Sequence, residues 1–194
     1  MKFSALTLLA LVAGASARHV NLEDVIDMED ISVYDYHRKV GIPLAEKIRL
    51  AEEQPDQDPS RIAGGSYANL GQFPYQAGLI AELPGGQGVC GGSLLNSWRV
   101  LTAAQCWFDG RTQARRFTVV LGSIRIFTGG VRLNTANVIM HESWNPSNAR
   151  NDIAMINLPS AVGTSSSIAP IALPSGNEIN NQFNGAAATA SGFG

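Results

Sequence analysis

The stretch Val89-Cys90-Gly91-Gly92-Ser93-Leu94-Leu95-Asn96-Ser97-Trp98-Arg99-Val100-Leu101-Thr102-Ala103-Ala104-Gln105-Cys106 sets the class of the fold. It holds two short runs rich in Val and Leu, residues 89–95 and 99–104, punctuated by Asn and Ser, which is the pattern of brief strands. Runs of the same kind stand at 75–81, 117–121, 131–140 and 152–158. No segment after Ile62 sustains a helical period, so the spacing predicts an all-β domain, a barrel or sandwich of antiparallel strands. A second β unit is expected to begin near residues 186–192.

Cys90 and Cys106 are the two cysteines of the chain. An even count in an exported protein, with both residues lying in predicted strands, argues for a disulfide. Closing so short a loop is worth about 3 kcal/mol on the chain-entropy estimate. With His141 the single histidine after Ile62, the set is poor for zinc, whose closed sites need four ligands. No metal and no cofactor is expected. Gly86-Gln87-Gly88-Val89-Cys90-Gly91 matches G-x-G-x-x-G, but Pro84 precedes it and a strand follows, whereas a dinucleotide loop needs a helix N-terminus for the pyrophosphate. It reads as a hairpin turn.

The whole chain is 194 residues long, 45% hydrophobic and 15% charged, a globular composition, with a net charge of −2 that leaves no basic footprint for nucleic acid. That average hides three segments. Residues 1–17 carry one charge, Lys2; residues 18–61 carry eleven acids against six Arg and Lys; residues 62–194 carry five acids against seven Arg and no Lys.

Lys2 is followed by the apolar Leu6, Leu8, Leu9, Leu11 and Val12, then by Ala15-Ser16-Ala17, which fits the A-x-A peptidase pattern and predicts a signal peptide cut after Ala17. A membrane anchor would need roughly 20 continuous apolar residues, and Arg18 and His19 arrive too soon. No membrane partner is expected. Residues 18–61 read as an acidic pro-segment with some helix-like apolar spacing early on. Its end, Glu52-Glu53-Gln54-Pro55-Asp56-Gln57-Asp58-Pro59, buries too little apolar surface to order itself and reads as an exposed tether. Arg61-Ile62-Ala63-Gly64-Gly65 then offers a single basic residue on a flexible approach, which is what a processing protease requires. Composition alone favours an ordinary linker there.

The set Arg61-Ile62-Ala63-Gly64-Gly65, Gly71-Gln72-Phe73-Pro74-Tyr75-Gln76, Cys90-Gly91-Gly92-Ser93-Leu94, Leu101-Thr102-Ala103-Ala104-Gln105-Cys106 and Asn151-Asp152-Ile153-Ala154, in that order, resembles the chymotrypsin-like serine proteases. With the leader, the pro-segment and Ser191-Gly192-Phe193-Gly194, the chain is similar to secreted midgut chymotrypsin-like enzymes of lepidopteran larvae. The resemblance covers residues 62–194. It implies a chymotrypsin-like antiparallel β-barrel, the first of two barrels complete and the second only begun, with activation between Arg61 and Ile62 by a trypsin-like protease.

Family chemistry needs a serine nucleophile, a base, and an acid that orients the base. Asp152 lies at the family's aspartate position, in a predicted strand whose Ile153, Ala154, Met155 and Ile156 would shield the carboxylate. The family's histidine position holds Gln105. An amide can donate to Asp152, yet it has no titratable nitrogen to accept the serine proton and return it to a leaving amine. His141, near Trp144 at a strand end, reads as structural or solvated and not as a substitute base. No Gly-Asp-Ser-Gly-Gly-type block occurs in these residues, and Ser93 and Ser191 match structural positions of the family rather than its nucleophile.

Three functions stay open on the sequence. The first is a secreted precursor of this family that is catalytically dead as written. The second is a partial sequence of an active digestive endopeptidase, since His and Gln codons differ at one base. The third is a non-catalytic fold that captures inhibitors or peptides. Protein or peptide substrates, or protease inhibitors, are the implied partners. Seven Arg without Lys suits an alkaline gut lumen, because Arg holds its charge where Lys begins to lose it.

Overall fold

The computed structural model describes residues 33–53 and 66–193; the leader and the Arg61-Ile62 bond lie outside the described residues. Seven strands form one antiparallel sheet: β1 (Gln76–Leu83), β2 (Gly86–Asn96), β3 (Arg99–Thr102), β4 (Arg116–Leu121), β5 (Val131–Thr135), β6 (Val138–Met140) and β7 (Ala154–Asn157). The spatial order is β5-β4-β1-β2-β3-β7-β6. The two edge strands, β5 and β6, follow one another along the chain, so the sheet curls until its edges meet at one corner. The Thr135 hydroxyl donates across that corner to the Asn157 carbonyl at 2.8 Å. This is the expected chymotrypsin-like barrel.

All six predicted runs contain strands, with three adjustments, the first being that the run 99–104 ends as a strand at Thr102. Residues 131–140 break at Ala136-Asn137, and the last strand starts at Ala154, so Asp152 precedes it rather than lying within it. Pro84-Gly85 forms the two-residue turn between β1 and β2, where Leu83 pairs with Gly86. The G-x-G-x-x-G match therefore lies in β2 directly after a hairpin turn. Gly92 has a packing reason: a Cβ there would stand 2.8 Å from Val100 and 2.9 Å from the Leu101 carbonyl, closer than β3 permits.

Inward-facing residues Leu79, Ala81, Leu94, Val100, Phe117, Val119, Leu121 and Ile156 fill the curl. Period-two alternation sends every second side chain to this interior. Residues 186–192 form no strand; no neighbouring strand among the described residues offers them backbone partners. They run as irregular chain.

The expected pro-segment, residues 18–61, departs most from its reading where it is described, at residues 33–53. A single π-helical turn (His37–Gly41) leads directly into α1 (Ile42–Glu53), which packs on the outer face of the barrel. The tether reading fails at its first two residues, Glu52 and Glu53, which belong to this helix. Tertiary contact supplies the burial that their local composition lacks.

Candidate active site

Cys106 ends a one-turn 3₁₀ helix (Ala104–Cys106) that follows β3, not a strand as expected, and its sulfur is bonded to Cys90 in β2. The disulfide fixes this turn against the sheet. Such a turn leaves its first backbone N–H groups without internal partners, and a carboxylate meets them: Asp152 Oδ1 accepts the Gln105 N–H at 2.8 Å. Ala104 contributes a second backbone N–H to the same carboxyl. Asp152 is placed by a tight turn in which the Ile153 N–H donates to the Asn151 carbonyl at 2.8 Å. Asn151 there adopts a positive φ of 58°, a conformation that Asn tolerates better than most residues.

Asp152 is half-buried, and its neighbour Ile153 is exposed, so the apolar shield is thinner than the sequence suggested. Burial pushes the Asp152 carboxyl above its ordinary range, while the Gln105 and Ala104 N–H groups draw it partly back. The link from residue 105 to Asp152 runs through the backbone and not through the side-chain amide. Gln105 Oε1 is buried with no hydrogen-bond partner.

The serines stay apart from this pair. Ser93 sits mid-sheet, opposite Gln76 of β1 and Leu101 of β3. The Ser191 hydroxyl donates to Gln76 Oε1 at 2.7 Å. His141 is exposed at the end of β6, and its N–H donates to the Ile153 carbonyl at 2.9 Å, one residue from Asp152. Its ring, however, turns to its own loop, where Nδ1 accepts the Ser143 N–H at 3.1 Å.

Sequence reasoning missed His37, fully buried where residues 34–53 pack against the barrel. Its backbone N–H donates to Asp109 Oδ2 at 2.9 Å, and neither ring nitrogen has a hydrogen-bond partner. Burial draws the imidazole pKa down; the Asp109 carboxylate, the nearby Cys106 carbonyl and Asp35 oppose it. The available signal was the aromatic cluster Tyr34-Asp35-Tyr36-His37 in an otherwise acidic segment. Among the described residues no three His, Cys, Asp or Glu side chains converge as metal ligands. A cleft of about 210 Å³ lies between the pro-segment and the barrel, bordered by Tyr36, Leu44, Val89, Gln76, Ser191 and Phe193, and does not include Asp152 or Gln105.

Residues 62–194 match the family model described as Trypsin. The chain is 43% identical over 135 residues to a collagenase of Hypoderma lineatum, covering 69% of this chain and 50% of that protein. It is 37% identical over 134 residues to trypsin beta of Drosophila erecta, covering 69% of this chain and 49% of that protein. Among solved structures it is similar to HL collagenase, with a TM-score of 0.56 at 41% identity over 61% of this chain and 50% of that one. The chain spans about half the length of the curated relatives it matches.

Proposed function

This chain belongs to the trypsin family, and from that membership we propose that it is the precursor of a secreted chymotrypsin-like serine endopeptidase whose catalytic centre, as written, lacks its general base. Residues 1–17 are the signal peptide, 18–61 the pro-segment, and 62–194 peptidase domain. A trypsin-like protease cuts between Arg61 and Ile62. Secretion is supported by the leader and by the Cys90–Cys106 bridge, since such bridges persist in oxidising compartments. A gut-lumen habitat rests on the resemblance and on the all-Arg basic content of residues 62–194.

The single observation that carries the reading is Gln105 beside Asp152. A serine hydroxyl attacks a peptide carbonyl only if a base takes its proton and later delivers it to the leaving amine. The reading of Asp152 as the group that would orient such a base is supported by its Oδ1 lying 2.8 Å from the residue 105 backbone N–H. Gln offers no nitrogen of suitable pKa, and loss of a triad base lowers turnover by about a million-fold in enzymes of this mechanism.

One feature favours the second reading, an active endopeptidase with His at position 105. The buried, unpartnered Gln105 Oε1 fits its surroundings poorly. Proteins or peptides are then the substrates. The test is hydrolysis of casein and reaction with a serine-directed phosphonate by the purified 194-residue chain, alone, as Gln105→His, and as Gln105→His joined to the C-terminal half of a relative. Activity in the third only supports the proposal. Labelling or turnover in the unmodified chain, free of host proteases, would sink it, and a transcript reading His at codon 105 would establish the second reading.

A further inference from the structure

A one-sheet barrel has an inner and an outer face, and outward side chains ordinarily meet water. Here they do not. In β1, Leu79 and Ala81 face inward, yet Ile80 between them is only 4% exposed. Ile80, Val89, Val120 and Ile126 form an outer apolar patch that Leu44, Ala45 and Ile48 of the pro-segment cover. Ala45 and Ile48 stand three residues apart, with Glu52 four further on, so all three lie on one face of the helix.

Glu52 anchors one end of that face. Its carboxylate accepts the backbone N–H groups of Ile126 at 2.5 Å and Phe127 at 3.1 Å, and the Thr128 hydroxyl at 3.3 Å. Charge-assisted bonds of this kind are about twice as strong as neutral ones. Arg49 stacks over the Phe127 ring at 4.9 Å and donates to Gln87 Oε1 at 2.7 Å. The other end is fastened separately. The Asp35 carboxylate pairs with Arg111 at 3.2 Å, the Asp35 N–H donates to the Asp109 carbonyl at 3.1 Å, and the Tyr36 hydroxyl donates to the Val89 carbonyl at 3.1 Å. None of these contacts is covalent, because the two cysteines are bonded to each other within the barrel. The segment, with four acids balanced by four Arg and Lys, is thus fixed at two ends by individual carboxylates and is apolar between.

We propose that residues 34–53 are a docking module that stays bound to the barrel after the connecting chain is cut, and that the outer face of β1, β2 and β4 with the 126–128 loop is a reversible binding site for an amphipathic helix bearing a carboxylate at its C-terminal end. The occupant is the chain's own pro-segment. Cleavage between Glu53 and the barrel frees one end of a linker and breaks none of the contacts above. The mature domain would then carry its pro-segment as a non-covalent subunit and keep Ile80, Val89, Val120 and Ile126 out of water.

The test uses the full chain with residues 55–60 replaced by the recognition sequence of a site-specific viral protease, cut once and passed over a gel-filtration column. Because the cut is engineered, the outcome is independent of processing at Arg61 and of any activity. The two pieces should co-elute in equal amounts. Ile48→Asp and Glu52→Ala, each compared before and after the cut, should lower the retained fraction at least tenfold while the uncut variants keep the circular-dichroism spectrum of the parent. Should Ile48→Asp disturb the uncut fold, Glu52→Ala alone decides. Free pro-segment from the unmodified interface, whether the barrel stays soluble or precipitates, would overturn the proposal. Equal retention of both variants and the parent would overturn the assigned surface.

Discussion

The Gln105 backbone N–H donates to Asp152 Oδ1 at 2.8 Å across 47 positions of sequence. The carboxylate proposed as the triad acid is therefore held by the main chain of the residue at the proposed base position. That bond does not depend on which side chain stands at 105, so Asp152 keeps its place whatever that residue is.

Removing the unpaired acceptor should stabilise the chain. Gln105→Met keeps the side-chain length and deletes Oε1, whose buried, unsatisfied state costs about 1–3 kcal/mol. We expect a gain of about 1 kcal/mol in urea denaturation at unchanged slope. A loss of stability would mean that the amide has a partner in solution.

Asp152→Ala should cost about 1–2 kcal/mol, since it leaves the Gln105 and Ala104 N–H groups of the 3₁₀ turn without their acceptor. Asp152→Asn retains an acceptor oxygen and should cost less. The pH dependence separates the two effects. The folded carboxyl titrates above its ordinary value of 3.8, so the folded state binds protons more readily than the unfolded one. The contribution of Asp152 to stability then falls as pH rises from about 3.8 through the raised value and is level above it. Asp152→Asn should remove that slope, as read from denaturation midpoints across the acid range.

Acidification should loosen residues 34–53 from the barrel through His37. Its folded pKa lies below the ordinary 6.5, so the undocked segment takes up the proton first. Docking strength is full above about pH 6.5 and declines as pH falls from there toward the lowered value. The groups facing the ring are the Asp109 and Asp35 carboxylates, with Arg38 and Arg111 paired to Asp35. Hydrogen exchange of residues 36–53 should accelerate between pH 7 and 5 relative to β1, and His37→Phe should flatten the response. A parallel acceleration in both variants would assign it to another group.

Exchange should also divide the barrel from the chain that follows it. The Ala169 N–H donates to the Pro74 carbonyl at 3.0 Å and the Ile171 N–H to the Leu94 carbonyl at 2.9 Å, tying that stretch to the sheet. Residues 172–190 are exposed throughout, with Leu173, Ile179 and Phe183 uncovered. We expect slow exchange in β1 and β4 and rapid exchange across 172–190. Uniform protection through Gly192 would show that solution structure covers this segment.

Strand positions were legible because their signals are local: short runs rich in Val, Ile and Leu, bounded by Gly, Pro, Asn and Ser, report a strand without reference to the rest of the chain. The Cys90–Cys106 pair was legible too, from count and compartment, whereas the role of position 105 was read from the resemblance and is a proposal. Expected strand at 186–192 was not realised, since a strand exists only when another backbone lies beside it.

Sequence by itself determined the antiparallel β class, the bridge, and that position 105 carries an amide with no titratable nitrogen. Tertiary structure alone decided that Asp152 is held by a main-chain N–H and that the acidic segment is a folded part of the molecule. Helix α1 has few apolar residues on its inner face, too few to announce a core element, and its partners Ile80, Val89, Val120 and Ile126 stand on separate parts of the chain. Only the curl of the sheet gathers those four into one patch, and only there does the Glu52 carboxylate, which read as a mark of exposed chain, find the backbone N–H groups that hold it.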